Sequence, residues 1–254
     1  MVTFSEEQLM QWLMPLLWPF LRALALLSAL PVFNQRAVPT RLRIALAFFI
    51  GLAAQATLPE TTAMPPLDSP TAFALVAQQV LIGASMGFAV RVVFAAIELA
   101  GELIGLQMGL NYAGFFDPVT ASQGTAAGRF FATIVAFVFV IMNGHLAVIA
   151  ALVQSFHSFP AGPEPFAFLT RVQPQVWGAQ IFSLGLWVAL PIVGMLLFVN
   201  LVLGVVSRVA PQINIFAVGF PVTLGVGLLG MLLTLPLLQQ PFTMALERML
   251  AQFQ

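Results

Sequence analysis

The chain has 254 residues, of which 60% are hydrophobic and 7% are charged, and its formal net charge is zero. About a quarter of the residues in a soluble domain are charged, so this composition predicts an integral membrane protein with one membrane domain over residues 1–254. Binding of nucleic acid needs clustered cations, so the zero net charge argues against such a partner. The absence of cysteine excludes disulfides, thiolate nucleophiles and cysteine-ligated metal sites.

The first half of the chain contains three apolar segments. Residues 10–32 are long enough to span a bilayer, and Pro15 and Pro19 predict a bent or late-starting helix there. Residues 44–59 form a shorter segment of roughly 24 Å, against a hydrocarbon core of about 30 Å. Residues 71–90 are a third span. We expect its continuation to be broken at Glu98 and Glu102, which lie four residues apart on one helix face.

The second half contains three more apolar segments, at residues 130–153, 172–207 and 216–238. The middle one is too long for a single upright span, and Pro191 and Gly194 are its expected kink. Residues 154–175 are polar and contain prolines, which predicts an external loop that carries His157. Residues 239–254 are expected to form a short amphipathic tail. The predicted fold class is therefore an all-α membrane protein with about six apolar helical segments, arranged as kinked hairpins.

The distribution of arginine indicates which ends of these segments face the cytoplasm. Three arginines lie between the first two segments, at Arg36, Arg41 and Arg43, and Arg208 follows the fifth segment. Short cytoplasmic loops are enriched in basic residues, so both connections are expected on the cytoplasmic side, with both termini outside. These two arginine-bearing turns are also the predicted positions of subunit or cytoplasmic contacts.

No motif for catalysis is present. His145 and His157 do not have the spacing of a zinc site, and no nucleophile elbow, phosphate loop or dinucleotide fingerprint occurs. We therefore expect neither an enzymatic function nor a cofactor.

Ionisable residues within the apolar segments are the next signal, because a charge at bilayer depth is costly unless it is paired or hydrated. They could form a proton or ion pathway, or they could pair with one another or with neighbouring subunits and snorkel at helix ends. The candidates are Arg22, Arg91, Glu98, Glu102, Asp117 and Arg129.

Residues 101–129 concentrate glycines, carboxylates and an aromatic pair. The stretch starts with helical leucine spacing and then turns into a loop with the sequence GFFDP. Non-helical backbone at membrane depth has to be buried in protein or line a water-filled path. Phe115 and Phe116, with the flexible Met108 on the preceding helix, could close a pore by dewetting. They could equally be ordinary core residues, and the spacing does not decide between these interpretations.

Four separated motifs resemble the FliR family of flagellar biosynthetic proteins, and together they extend over almost the whole chain. They are WPFLRALALLSALPVFNQRAVPTRLRIAL at 18–46, GELIGLQMGLNYAGFFDP at 101–118, NGHL at 143–146 and NLVLGVVSRVAPQINIFAVGFPVTLGVGL at 200–228. This resemblance implies a single-copy component of the flagellar type III export gate in the bacterial inner membrane, at the flagellar basal body.

The resemblance also implies partners and a site. The chain would assemble with FliP and FliQ subunits into a helical hetero-oligomeric gate that contacts FlhB and lipid, with residues 1–170 FliP-like and residues 171–254 FliQ-like. Unfolded rod, hook and filament proteins would pass through it, driven by other components and the proton-motive force. The family's channel plug would fall on Tyr112, Phe115, Phe116 and Asp117, with Met108 as a neighbour.

Two alternatives remain open from the sequence. One is a small secondary transporter that couples protons through Glu98 or Glu102. The other is the paralogous export subunit of a virulence injectisome, which would differ in cargo.

Overall fold

The computed structural model describes residues 6–35, 37–57, 70–110, 124–160, 166–212 and 214–254. These residues form α-helices joined by short turns and 3-10 helices, and they contain no strand. The α-helices are α1 (Glu6–Ala29), α2 (Thr40–Gln55), α3 (Pro70–Gln107), α4 (Ala126–Ile141), α5 (Gly144–Ser158), α6 (Phe168–Val172), α7 (Trp177–Val209), α8 (Ile215–Thr234) and α9 (Gln239–Leu250). The predicted all-α class is confirmed.

Three stretches of helix in the described residues are long and apolar enough to cross a membrane, namely Ala72–Gln107, Phe168–Val209 and Ala217–Phe253. The helices α4 and α5 add a fourth span if the two are counted together. The second apolar segment of the sequence forms α2, whose 16 residues are too few for a full-length span.

Several predicted boundaries were wrong. The helix α3 runs without a break through Glu98 and Glu102, because glutamate is a good helix former and does not end a helix by its charge. Of the two alternatives for α1, the late start was wrong, because the helix begins at Glu6 and contains both Pro15 and Pro19. The predicted span 130–153 is divided between α4 and α5, because Asn143 adopts a left-handed conformation with φ 54°.

The predicted external loop 154–175 is partly helical. The helix α5 continues to Ser158, and α6 occupies Phe168–Val172. His157 therefore lies in the last turn of α5, where its side chain is exposed. The amphipathic tail is confirmed as α9 followed by a 3-10 turn at Ala251–Phe253.

The chain divides into two compact units. The first contains residues 1–91, 143–177 and 246–254, so it includes α1, α2, the first part of α3, α5 and α6. Its core is aromatic: the Trp177 ring is stacked on Phe88 with centroids 5.8 Å apart and contacts Phe253 edge-on at 6.2 Å. The helices α1 and α3 approach closely, because Gly83 and Gly87 leave room for the backbone of α1.

The second unit contains residues 92–142 and 178–245, with the rest of α3, α4, most of α7, α8 and the start of α9. Phe94 of α3 lies at its centre, with ring centroids 5.5 Å from Phe139 and 5.8 Å from Phe242. Glycines again permit close contacts between helices: Gly185 of α7 faces the backbone of α3, and Gly230 of α8 faces α7. All the residues that flank segment 111–123 belong to this unit.

Candidate functional site

The residues of the predicted plug are only partly described. Tyr112, Phe115, Phe116 and Asp117 lie outside the described residues, as does Arg36 of the first arginine-bearing turn. Met108 is described and fully buried. The described residues near the two ends of segment 111–123, together with the residues of α8 that contact Met108, form what we call the anchor site: Glu102, Met108, Thr125, Gly128, Thr223 and Gly227.

The helix α3 ends just before the segment. The Met108 N–H donates to the carbonyl of Ile104 at 2.9 Å, and the next residue, Gly109, has φ 80°. A left-handed glycine after the last turn is a common helix stop. The chain therefore leaves the helix at a defined point, with Met108 as the last buried side chain.

The side chain of Met108 packs against α8. The Thr223 hydroxyl lies 3.4 Å from the Met108 carbonyl oxygen and closer, at 3.1 Å, to the carbonyl oxygens of Gly219 and Phe220 in its own helix. A Cβ on Gly227 would collide with the Met108 side chain, so the glycine provides the space that this side chain fills. Thr223 and Gly227 are four residues apart and share one face of α8. The end of α3 is thus fixed against a second helix.

The helix α4 starts where the segment ends. Gly124 has φ 101°, and Thr125 is the N-cap residue, whose Oγ1 accepts a hydrogen bond from the Gly128 N–H at 3.0 Å. The N–H of Thr125 itself donates to the Glu102 carboxylate, with its nitrogen 3.0 Å from Oε1 and 2.9 Å from Oε2. The carboxylate therefore binds the start of α4 to α3.

Small residues allow this contact between α3 and α4. A Cβ on Gly101 would lie 2.8 Å from the Ala127 carbonyl oxygen, and a Cβ on Gly105 would collide with Thr125. Gly101 and Gly105 lie four apart on one face of α3, which is the small-xxx-small pattern of close helix pairs. Any side chain at these positions would push the start of α4 away from α3.

A shallow apolar groove of about 340 Å³ lies beside the anchor site in the same unit. Its wall includes Met108 and Leu110 from the end of α3, Ala127 and Phe130 from α4, and leucines of α8. It offers apolar contact area directly next to both ends of segment 111–123.

Arg22 is the other notable charge, and it belongs to the first unit. Its guanidinium is fully buried and donates from Nε to Gln79 Oε1 at 2.8 Å, from Nη1 to Ser155 Oγ at 2.9 Å and from Nη2 to the Phe159 carbonyl at 2.8 Å. It also lies over the Phe156 ring, 3.9 Å from the centroid. We call these residues the arginine cluster. All three acceptors are neutral, and they come from α3, α5 and the residue that follows α5.

The other predicted charged residues that the structure describes are more exposed than Arg22. Five of them have exposed side chains: Arg41, Arg91, Glu98, Arg129 and Arg208. Arg43 is half-buried and lies within hydrogen-bond distance of Asn34 Oδ1 and Thr40 Oγ1. Within the described ranges, no group of three or more His, Asp or Glu side chains could hold a metal ion.

Sequence reasoning missed several residues of the anchor site and of the arginine cluster. Thr125 carried a signal, since a threonine before an apolar helical run is a typical N-cap. Gln78 and Gln79 are a polar pair inside an apolar helix, which is a sign of a buried hydrogen-bond network. Ser155 and Gly128 carried no local signal, because their roles depend on side chains distant in the sequence.

The fold and these two clusters define an all-helical membrane protein with short and long apolar helices and few charges. A family model described as bacterial export proteins, family 1, matches residues 13–249. The chain is 43% identical to the flagellar biosynthetic protein FliR of Pectobacterium carotovorum, over 94% of this chain and 90% of the relative. It is 42% identical to FliR of Escherichia coli over the same shares, and 28% identical to FliR of Bacillus subtilis over 91% of each chain.

The chain therefore belongs to the FliR family of bacterial export proteins. It is a membrane-associated component of the flagellar export apparatus, with a role in flagellum biogenesis and type III protein export.

Proposed function

We propose that this chain is a subunit of the flagellar export gate and that its segment 111–123 closes the export channel. In this proposal Tyr112, Phe115, Phe116 and Asp117 form the plug, and Met108 anchors it. One observation carries the proposal: the chain is held on both sides of the segment, by the packing of the buried Met108 side chain at Gly227 and by the contacts of the Thr125 N–H with the Glu102 carboxylate. A closing segment needs such fixed ends, because loosely held ends would let it leave the channel.

The exposed apolar surface of α7 supports the proposal of partner subunits. Only 17% of its most apolar stretch is buried within the chain, and Trp187, Phe198 and Leu201 are each more than 60% exposed. A large apolar surface of this kind calls for lipid or other protein subunits. We propose that FliQ and FliP subunits pack on the chain, with residues 171–254 the FliQ-like part and residues 1–170 the FliP-like part. FlhB is a further partner, and the exposed Arg41 and Arg208 are available for such contacts.

The cargo is proposed to be the unfolded rod, hook and filament proteins of the flagellum, exported at the basal body in the inner membrane. The family membership supports a role in flagellar protein export. The energy for transport is assigned to other components and to the proton-motive force.

Deletion of residues 114–123 tests the plug directly. We expect an increased ion leak through the assembled export complex, because the anchor site would then hold no obstructing segment. Leak is measured as solute or ion uptake in cells that carry the complex, and secretion of hook and filament proteins is measured in parallel. A chain with the deletion that leaves conductance and motility normal would remove the plug from the proposal.

A second experiment replaces only the two phenylalanine side chains of the proposed plug. The double substitution Phe115→Ala and Phe116→Ala is expected to leak, although less than the deletion. Phe73→Ala is the matched control, because Phe73 is 80% exposed and lies near the start of α3, far along the chain from the segment. Equal leak in the double variant and the control would place the seal elsewhere.

A further inference from the structure

The start of α4 has an unusual cap. In a capping box, the N-cap side chain accepts from the N–H of the third helical residue, and a Glu or Gln at that residue accepts from the N–H of the N-cap. In α4 the first half is present, since Thr125 Oγ1 accepts from the Gly128 N–H. The second half cannot come from α4, because the third helical residue is Gly128, which has no side chain.

Glu102 of α3 supplies the missing half. Both of its carboxylate oxygens lie within 3.0 Å of the Thr125 nitrogen. The first atom that a Cβ on Gly128 would meet is Glu102 Oε1, followed by Cδ of the same side chain. Glycine at 128 and glutamate at 102 are therefore a matched pair: the carboxylate occupies the space that a side chain at 128 would need. The positive end of the helix dipole further favours a carboxylate there.

We propose that Glu102 is a positioning residue, which completes the cap of α4 from α3 and thereby fixes the point at which segment 111–123 re-enters the helix. Its role is that of a hydrogen-bond acceptor on Thr125 rather than that of a proton carrier. The cap itself follows from the contacts of Glu102 alone. Its consequence for channel leak rests on the plug function proposed above.

Two conservative variants separate hydrogen bonding from charge. Glu102→Gln removes the charge but keeps an acceptor oxygen at the same reach. Glu102→Asp keeps the charge but is one methylene shorter, so it cannot reach the Thr125 N–H from the same backbone position. Glu98→Ala is the matched control, because Glu98 lies one turn earlier on α3 with an exposed side chain.

The chain contains no cysteine, so one engineered thiol reports the state of the cap. Ala127 is the second helical residue of α4 and only 3% exposed. The substitution Ala127→Cys is combined with each Glu102 variant, and maleimide labelling is timed in the purified export complex. Labelling of a buried site requires local opening. Loss of a hydrogen bond to a charged group shifts such an opening equilibrium roughly tenfold to a hundredfold.

The expected order follows from reach first and from charge second. Glu102→Asp and Glu102→Ala raise the labelling rate roughly tenfold or more, Glu102→Gln raises it less because a neutral acceptor forms a weaker hydrogen bond, and Glu98→Ala stays close to the parent. A Glu102→Gln variant that labels as fast as Glu102→Ala would overturn the proposal, and so would a Glu102→Asp variant that labels at the parent rate. Glu102→Asp keeps the test open even where Glu102→Ala does not assemble.

Ion leak through the same variants connects the cap to the plug. Leak is expected to follow labelling, so Glu102→Asp should leak more than Glu102→Gln. If Glu102→Asp labels fast but the deletion of residues 114–123 does not increase ion leak, the plug is contradicted and the cap stands. A leaky deletion together with unchanged labelling in Glu102→Asp contradicts the cap and leaves the plug intact.

Discussion

The arginine cluster of the first unit and the anchor site of the second solve the same problem in different ways. Each contains a charged side chain that is bound by neutral groups. Arg22 binds acceptors 57, 133 and 137 residues away in the sequence, contributed by α3, by α5 and by the residue after α5. Glu102 binds one backbone N–H only 23 residues away.

The difference follows from the chemistry of the two ions. A guanidinium has five N–H donors in a rigid plane and needs several acceptors around it. A carboxylate needs only donors, and the free N–H groups at a helix start provide them. The cation therefore holds distant helices together and controls stability, whereas the anion fixes one junction and controls local geometry.

Replacement of Arg22 should have the largest effect. Arg22→Ala leaves the buried acceptors of Gln79, Ser155 and Phe159 without their donor, and we expect a loss of about 1–3 kcal/mol in the free energy of unfolding for each acceptor that stays unpaired. Arg22→Lys should also destabilise, because an ammonium cannot reproduce the planar fork. Thermal unfolding of the purified protein and its abundance in membranes measure both. An Arg22→Ala variant as stable as the parent would show that the cluster is not structural.

Gly128→Ala is expected to have the next largest effect, because the added methyl occupies the position of the Glu102 carboxylate. We expect about 1–3 kcal/mol of destabilisation from overpacking. Gly194→Ala is the matched control in the same unit, since a Cβ there meets nothing within 4 Å and should be neutral or stabilising through helix propensity. The two variants are compared by thermal unfolding, and equal melting temperatures would contradict the steric argument.

Thr125→Ala removes the N-cap acceptor of α4 and should cost about 1 kcal/mol. Thr125→Ser keeps the hydroxyl and should recover most of that loss. In the labelling assay at position 127, the alanine variant is expected to react faster than the serine variant. Identical rates would indicate that the Glu102 contact alone holds the start of α4.

The smallest effect is expected for Arg129, an exposed arginine close to the anchor site in the sequence. Arg129→Ala, in the first turn of α4, removes a charge that is exposed on the surface. We expect a change in unfolding free energy within about 0.5 kcal/mol. Unfolding of the isolated chain and assembly of the complex, measured side by side, separate an effect on stability from an effect on partner contacts.

Much of the fold could be predicted from hydropathy and composition. The apolar segments, the short second helix and the amphipathic α9 follow from local patterns along the chain. The errors lie where a local rule was given too much weight. Glu98 and Glu102 were expected to break a helix that continues to Gln107, and Asn143 was treated as the middle of one span, although its left-handed backbone separates α4 from α5.

The predicted plug stays a prediction, because its central residues lie outside the described residues. The sequence identified residues 101–129 as unusual, Glu102 as a candidate intramembrane charge and Met108 as a neighbour of the plug. It could not distinguish Glu102 from Glu98, although the two share one helix and one charge. Only the structure places Thr125 on Glu102 and leaves Glu98 exposed.

By itself the sequence determined that the protein is an all-helical membrane protein, and its motifs resemble one export family. Both properties are carried by residues that are neighbours along the chain, through hydropathy, helical spacing and contiguous motifs. Only the tertiary structure decided which charges are buried and what binds them. Arg22 and Glu102 owe their roles to contacts with residues on other helices, and such contacts leave no period or local pattern in the sequence.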